Sequence, residues 1–213
     1  MTIRVLLADD HAVMRDGLQA LLKMAPDIAV IGSVGNGREA VRLAAGLRPD
    51  VVIMDVTMAE LNGIEATGLL RARHPEIRVV MLSMHSSSEH VYRAFNAGAV
   101  GYLLKESAGD EIVAAVRAAH SGRQYISGEL QTMERRSAPR TGGTGPLASL
   151  STRERQVLQL VVEGRASAEI AALIHLSPKS VDTYRSRLMK KLGIADVTGL
   201  VKFAIQHGLT PAG

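Results

Sequence analysis

The stretch VLLADDH, residues 5–11, runs from apolar residues directly into two neighbouring carboxylates, Asp9 and Asp10. A short apolar run of this kind is typical of a buried strand in a parallel sheet, and functional side chains in such sheets gather beyond the C-terminal ends of the strands. Four further apolar runs follow, IAVIGSV, VVIMD, RVVMLSM and VGYLLK, and an amphipathic segment comes after each. Residues 1–122 are therefore predicted to form a doubly wound α/β domain with a five-stranded parallel sheet.

The sequence pattern changes after residue 122. Residues 123–148 are rich in Gly, Ser, Thr, Pro and Arg, which predicts a short helical extension followed by a flexible linker. Residues 149–213 show helical patterns only and are predicted to form an all-α domain of four helices. Its helix ends are marked by capping and stop residues: the S-x-x-E capping box of Ser151 and Glu154, then Gly164, Ser177 with Pro178, and Asp196.

The composition restricts the class of protein. The 213 residues include no Cys and only 3% aromatic residues, which excludes disulfides and disfavours a small-molecule sensor with an aromatic pocket. No apolar run approaches the ~18–20 residues that span a bilayer, so we expect a cytoplasmic protein with no membrane partner. Lys and Arg number 13 against 15 Asp and Glu in residues 1–130, but 12 against 6 in residues 131–213. The basic C-terminal part therefore suggests a polyanion as partner.

Polar side chains follow four of the predicted strands. Asp9 and Asp10 follow the first strand, Asp55 ends the third, Ser83 ends the fourth and Lys105 follows the fifth. Carboxylates ~4 Å apart repel each other by about 4 kcal/mol at an effective dielectric constant of 20, so the cluster requires a cation. Oxygen ligands without Cys or His favour a hard ion such as Mg²⁺. A carboxylate beside a metal ion and an ammonium is suited to accept a phosphoryl group.

The segments ADDH, MDVTM, LSMH and GYLLK stand in the order found in the receiver domain of two-component response regulators, so residues 3–122 resemble that domain and its flavodoxin-like fold. The resemblance implies that Asp55 is the phosphoacceptor and that Lys105 and Ser83 hold phosphoryl oxygens. It implies Mg²⁺ on Asp10 and Asp55, with Asp9 assisting and the main-chain carbonyl of Thr57 as a further ligand. Tyr102 stands at the switch position, where the ring swings inward once Ser83 moves. Ala59 and Glu106 replace prolines that are usual in the family.

A competing motif is GNGREA, residues 35–40, which matches the G-x-G-x-x-A fingerprint of dinucleotide-binding enzymes. Asp55 follows Gly35 by twenty residues, the spacing of a ribose-binding acid. The motif comes after the second predicted strand rather than the first, however, and a loop entering a helix explains it equally well. A small dinucleotide-binding enzyme is therefore kept as an alternative.

The helix predicted from Ser177 has two different faces. At 100° per residue its apolar residues, Val181, Tyr184, Leu188 and Leu192, fall on one side, and a short turn separates the helix from the one before it. Two helices joined in this way form the helix-turn-helix unit that places its second helix in the DNA major groove. The segments LSTRERQVLQLVVEG, AEIAALIHLSPKSVDTYRSRLMKKLGI and LVKFAIQHGL resemble a LuxR-type helix-turn-helix domain. By position, Asp182, Thr183 and Ser186 suit base edges, whereas phosphates suit Lys179, Arg187, Lys190 and Lys191.

The complete chain resembles a NarL/FixJ-type response regulator. We therefore expect a transcription factor that binds double-stranded DNA and that forms a homodimer when a sensor histidine kinase phosphorylates Asp55. No enzymatic activity is expected beyond the receiver's own phosphotransfer and dephosphorylation. A DNA-binding dimer that works independently of phosphorylation is the second alternative.

Overall fold

The computed structural model describes residues 2–84, 86–128, 130, 146–207 and 209, and the chain forms two compact units. Most of the predicted linker lies outside these residues. Among the described helices, none is both long and apolar enough to cross a membrane.

The N-terminal unit is a parallel sheet with helices on its two faces. Its strands are connected in the order β2-β1-β3-β4-β5-β6, and every pair is parallel. The strands are β1 (Ile3–Ala8), β2 (Ile28–Val34), β3 (Val51–Asp55), β4 (Arg78–Ser83), β5 (Gly101–Leu104) and β6 (Tyr125–Ile126). The helices are α1 (Ala12–Lys23), α2 (Gly37–Leu47), α3 (Gly63–Arg73), α4 (Ser88–Ala97) and α5 (Ala108–His120). The doubly wound α/β fold is thus confirmed.

The predicted count of five strands is wrong, because β6 adds a sixth at the edge beside β5. Its two residues pair with Gly101 and Tyr102, and the strand lies beyond residue 122, the predicted end of the first domain. Ser127, directly after β6, is fully buried, and its hydroxyl donates to Glu111 Oε2 at 3.0 Å and lies 2.6 Å from the hydroxyl of Ser107. A two-residue strand is too short to show periodicity, so only these tertiary contacts reveal it.

Strand order determines where the polar groups meet. The chain leaves β1 toward β2 on one side of the sheet and returns to β3 on the other, so the topological switch point lies between β1 and β3. Ligand sites of open α/β sheets lie at such points. Asp9 follows β1 and Asp55 ends β3, so the order of the strands brings both carboxylates to this point.

Gly63, the first residue of α3, lies against the strand that carries Asp55. Its backbone N–H donates to the carbonyl oxygen of Val56 at 2.9 Å. A Cβ atom at this position would overlap the backbone oxygen of Asp55 and come within 2.8 Å of Met54 Cγ. Only glycine therefore allows α3 to begin this close to the end of β3.

The C-terminal unit is formed by a short 3₁₀ turn (Pro146–Ser149) and four helices, as predicted. The helices are α6 (Thr152–Val162), α7 (Ser167–Ile174), α8 (Pro178–Leu192) and α9 (Val197–Gln206). The predicted capping box is present, since Ser151 and Glu154 satisfy each other's backbone N–H groups, and Gly164 follows α6 with a φ of 81°. Val157, Ile170, Val181 and Leu200, from all four helices, are fully buried in one core.

Gly63→Ala is expected to lower the stability of the N-terminal unit by about 1–3 kcal/mol, because the added methyl group forces α3 away from β3. Gly68→Ala is the matched control in the same helix, since a Cβ atom there meets no atom within 4 Å. The control should leave stability unchanged or raise it by up to about 1 kcal/mol. Urea unfolding followed by circular dichroism measures both effects, and equal midpoints for the two variants would contradict the close approach at Gly63.

Candidate functional site

A lysine lies between two buried carboxylates at the switch point. Lys105 Nζ is 2.8 Å from Asp9 Oδ2 and 2.7 Å from Asp55 Oδ2. The two aspartates are 2% exposed and the lysine 9%, so all three charges are shielded from water. Three strands are required to bring them together, since Asp9 follows β1, Asp55 ends β3 and Lys105 follows β5. The ammonium compensates carboxylates that would otherwise repel each other strongly.

The protonation of this group reflects its burial. Burial, together with the neighbouring charge of Asp9, raises the pKa of Asp55 to about 7 against the opposing effect of Lys105. Burial lowers the pKa of Lys105, but the two carboxylates together outweigh that effect and leave the lysine pKa above its ordinary value. Asp55 therefore changes its charge near neutral pH, whereas Lys105 stays a cation.

Asp10 and His11 complete the cluster on its more exposed side. His11 Nδ1 lies 2.7 Å from Asp10 Oδ1 and 3.3 Å from Asp9 Oδ1, and the backbone N–H of His11 donates to Asp9 Oδ1 at 2.8 Å. Ligand atoms of Asp9, Asp10, His11 and Asp55 all lie within 4.8 Å of one another, so the cluster could hold a metal ion. His11 was not among the predicted site residues, although its position directly after Asp10 was the available signal.

Three further predicted residues, Thr57, Ser83 and Tyr102, lie on or shortly after the strands around the cluster. The backbone N–H of Thr57 donates to Asp55 Oδ1 at 3.3 Å. Ser83 is fully buried, and its carbonyl oxygen accepts from the backbone N–H of Lys105 at 2.8 Å. Tyr102 is also fully buried; burial raises the pKa of its hydroxyl to about 12, and a hydrogen bond with Ser83 opposes this rise. The ring of Tyr102 is thus already inside the unphosphorylated chain, and the predicted swing stays a prediction.

The dinucleotide motif has a different role in this structure. Asn36 caps α2, since its side-chain oxygen accepts from the backbone N–H of Glu39 at 2.8 Å. The motif follows the edge strand β2, and β1 separates that strand from β3 and Asp55. GNGREA is therefore the start of a capped helix.

The peptide bond between Lys105 and Glu106, where the family often has proline, is trans, as are the other peptide bonds of the described residues.

In the C-terminal unit, α7 and α8 are joined by three residues, His175 to Ser177, and α8 has one buried and one exposed side. Val181 and Leu188 of α8 are fully buried. All seven residues predicted to contact DNA are exposed: Lys179, Asp182, Thr183, Ser186, Arg187, Lys190 and Lys191. Tertiary packing therefore leaves the polar side of α8 open, as its periodicity predicts.

Three of these seven side chains have hydrogen-bond or ion-pair partners among the described residues of the unit. Thr183 donates its hydroxyl to the backbone oxygen of Lys179 at 2.9 Å. Asp182 Oδ1 accepts from the hydroxyl of Ser167, the first residue of α7, at 2.7 Å.

Lys191 is the third, and its Nζ contacts Glu154 Oε2 at 2.7 Å and donates to the Ser149 carbonyl oxygen at 3.1 Å. Burial raises the pKa of Glu154, but the bonds from Lys191 and Ser151 outweigh it and hold that pKa below its usual value. Lys191 is thus tied to a buried carboxylate.

Two family models match the chain. Residues 5–117 match the response regulator receiver domain, and residues 148–204 match the luxR family of bacterial regulatory proteins.

Two curated relatives match nearly the whole length of the chain, and a solved structure matches about two thirds of it. The transcriptional regulatory protein MctR of Rhizobium johnstonii is 38% identical, over 97% of this chain and 95% of its own. The response regulator UvrY of Escherichia coli K12 is 36% identical, over 99% and 97%. A crystal structure of a LuxR-family two-component response regulator from Aurantimonas sp. SI85-9A1 is 36% identical, covers 64% of this chain and 100% of its own, and superposes with a TM-score of 0.61.

Asp55→Asn is expected to stabilise the metal-free protein more at pH 8 than at pH 5. The unfolded chain releases the Asp55 proton near a pKa of 3.8, whereas the folded protein holds it to about pH 7. Folding therefore binds a proton between these values, and stability falls as pH rises through that window, by at most about 4 kcal/mol. Asn cannot ionise and escapes this loss.

Urea unfolding in EDTA at the two pH values measures the difference in the free energy of unfolding between the Asp55→Asn variant and the wild type. Asp110→Asn, which changes an exposed carboxylate of α5, is the control, and its difference from the wild type should be the same at both pH values. An equal difference at both pH values for Asp55→Asn would contradict the raised pKa.

Lys191→Met is expected to destabilise the C-terminal unit by about 1–3 kcal/mol, because the buried Glu154 carboxylate loses its ammonium partner. Lys190→Met removes the neighbouring exposed ammonium and should change stability by less than about 0.5 kcal/mol. Thermal unfolding of the intact protein distinguishes them. Identical melting temperatures would mean that the contact between Lys191 and Glu154 is not maintained in solution.

Proposed function

The chain belongs to the response regulators that join a receiver domain to a LuxR-type DNA-binding domain, and on this premise we propose that phosphorylation of Asp55 controls its action as a transcription factor. One observation carries the proposal: the Asp55 carboxylate is held by Lys105 Nζ at 2.7 Å, with the carboxylates of Asp9 and Asp10 alongside. A nucleophile between an ammonium and a cation site is arranged for phosphoryl transfer.

The proposed chemistry is transfer of a phosphoryl group to a carboxylate oxygen of Asp55. The new bond forms between that oxygen and phosphorus, and the bond from phosphorus to the donor breaks, so the donor leaves with its electron pair. The ammonium of Lys105 would bind one phosphoryl oxygen, and the hydroxyl of Ser83 would bind another.

The donor set fits Mg²⁺, with Asp10 and Asp55 as ligands, Asp9 assisting and the main-chain carbonyl of Thr57 as a further ligand. Mg²⁺ would neutralise charge on the phosphoryl oxygens. We propose no enzymatic activity beyond the receiver's own phosphotransfer and dephosphorylation.

We propose a sensor histidine kinase as the donor. Next to the carboxylates lies an apolar cavity of about 580 Å³, lined by His11, Val13, Met14, Leu18, Met84 and Lys105 among others. The side chains of Val13 and Met84 are 86% and 64% exposed. Large exposed apolar side chains beside a reacting group favour a protein donor, which can cover them on binding.

DNA is the proposed partner of the C-terminal unit. The exposed side of α8 would enter the major groove, with Asp182, Thr183 and Ser186 at base edges and Lys179, Arg187 and Lys190 at phosphates. Lys191, bound to Glu154, would instead anchor the helix that carries these residues. A DNA partner implies a cytoplasmic location.

A homodimer would place two such helices about one turn of DNA apart. In α9, Leu200 and Ala204 are fully buried, whereas Val197 and Ile205 are 39% and 38% exposed. Exposed apolar residues on the last helix support self-association there. Phosphorylation adds about two negative charges next to Lys105 and Ser83, which supports a rearrangement of β4 and β5 as the signal for dimerisation.

One observation favours a second candidate, a DNA-binding dimer that does not depend on phosphorylation. Tyr102 is 0% exposed in the unphosphorylated chain, so the inward position expected of the phosphorylated form is already occupied. In that case Asp55→Asn would leave DNA binding unchanged.

Acetyl phosphate with Mg²⁺ is expected to add one phosphoryl group to the wild type and none to Asp55→Asn, because only the former has the nucleophile. Intact-mass spectrometry measures the addition. The same samples are then compared for self-association by analytical ultracentrifugation and for DNA retention on a random duplex library. Asp50→Asn serves as the control for a carboxylate outside the cluster and should be modified like the wild type.

Phosphorylation of Asp55→Asn to the same extent would contradict the assignment of the nucleophile. Equal self-association and DNA retention with and without the phosphoryl group would contradict control by phosphorylation and favour the independent dimer.

A further inference from the structure

One acid stands on the side of α8 that otherwise carries cations and hydroxyls. Asp182 is exposed, and so are Lys179, Arg187 and Lys190. A carboxylate on a DNA-facing surface repels the phosphates and weakens binding to every sequence. An unfavourable charge at this place therefore requires a compensating interaction, either with a base or within the protein.

The structure offers a partner for only one of the two carboxylate oxygens among the described residues. Asp182 Oδ1 accepts from the Ser167 hydroxyl at 2.7 Å. Ser167 is the first residue of α7, so the carboxylate also lies at the positive end of that helix. The hydrogen bond holds the side chain against the first residue of α7 and leaves Oδ2 as an acceptor.

We propose that Ser167 and Asp182 act as one reading unit, in which Ser167 positions the carboxylate and Asp182 selects a cytosine in the major groove. This inference rests on the proposed DNA binding and specifies which base the site prefers.

The choice of cytosine follows from the acceptor character of a carboxylate. In the major groove only cytosine N4 and adenine N6 offer hydrogen-bond donors. Adenine places its acceptor N7 beside N6, so a carboxylate that approaches N6 is repelled by N7. Cytosine offers its amino group without an adjacent acceptor of its own. Asp182 thus discriminates against guanine and thymine by the missing donor and against adenine by the neighbouring acceptor.

Ser167 matters because a fixed carboxylate loses less side-chain entropy on binding than a mobile one. A purely structural role, in which the hydrogen bond ties α7 to α8, is weakly supported by the packing. Ile170, Ala171 and Ile174 of α7 are already buried in a core with Val181 of α8. An exposed hydrogen bond adds little to such a contact.

The test is selection of binding sites from a random duplex library by the full-length chain, treated with acetyl phosphate and Mg²⁺, followed by competition binding with single-base variants of the selected site. The wild type should select a cytosine at one position of each half-site. Asp182→Asn should change that preference to adenine, because an Asn amide pairs with both N6 and N7 of adenine. It should also bind random DNA more tightly, since one repelling charge is removed.

Ser167→Ala keeps the charge and should lower the preference for cytosine about fivefold, a change at the low end of base discrimination. Its affinity for random DNA and its melting temperature should stay those of the wild type. Thr198→Ala, at an exposed position of α9, is the control and should change neither preference nor affinity.

The outcomes separate this inference from the function on which it rests. If the wild type retains no DNA, the proposed function fails, and the inference fails with it. If DNA is retained but Asp182→Asn alters no base preference, only the inference fails. If Ser167→Ala weakens binding to all sequences equally, the hydrogen bond is structural and the positioning role of Ser167 is overturned.

Discussion

The contact of the Lys105 ammonium with Asp9 and Asp55 is the interaction on which the receiver unit depends. Two carboxylates that are 2% exposed cannot both be ionised at the end of a sheet without a nearby cation, and Lys105 supplies it at 2.8 and 2.7 Å. The contact joins residues from the ends of β1, β3 and β5, so it requires these strands and β4, which lies between β3 and β5, to be in place. A raised pKa at Asp55 is the physical consequence of burying its carboxylate beside that of Asp9.

The helical unit also contains a buried carboxylate that is compensated by a lysine, and here the pair holds a helix in place. Glu154 is 3% exposed, and Lys191 from the last turn of α8 compensates its charge, while Ser151 at the start of α6 satisfies its other hydrogen bonds. One lysine of α8, Lys191, thus pairs with a buried carboxylate, whereas Lys179, Arg187 and Lys190 of that helix stay exposed without such a partner among the described residues. Buried charge fixes the position of α8, and exposed charge determines what α8 can bind.

Much of the site could be predicted because strand ends can be recognised in the sequence. Apolar runs locate the ends of β1, β3, β4 and β5, and Asp9, Asp55, Ser83 and Lys105 stand at or directly after them. His11 was missed because adjacency to Asp10 does not reveal the direction of an imidazole. Two-residue β6 was missed because it has no periodicity, and its place depends on the burial of Ser127 against Glu111. The burial of the Tyr102 ring could not be predicted either, because the sequence does not decide between the inward and the outward position expected at a switch site.

By itself the sequence determined the order of the elements apart from β6, the N-caps of α6, α8 and α9, and the polar side of α8, because each of these follows from periodicity or from hydrogen bonds between residues three or four apart. Tertiary structure alone decided the partners of the charges: Lys105 with Asp9 and Asp55, Lys191 with Glu154, and Ser167 with Asp182. Those residues lie 15 to 96 positions apart, and no local rule fixes a distance over such a separation. Their geometry is set by strand order and helix packing, which depend on the burial of the whole core.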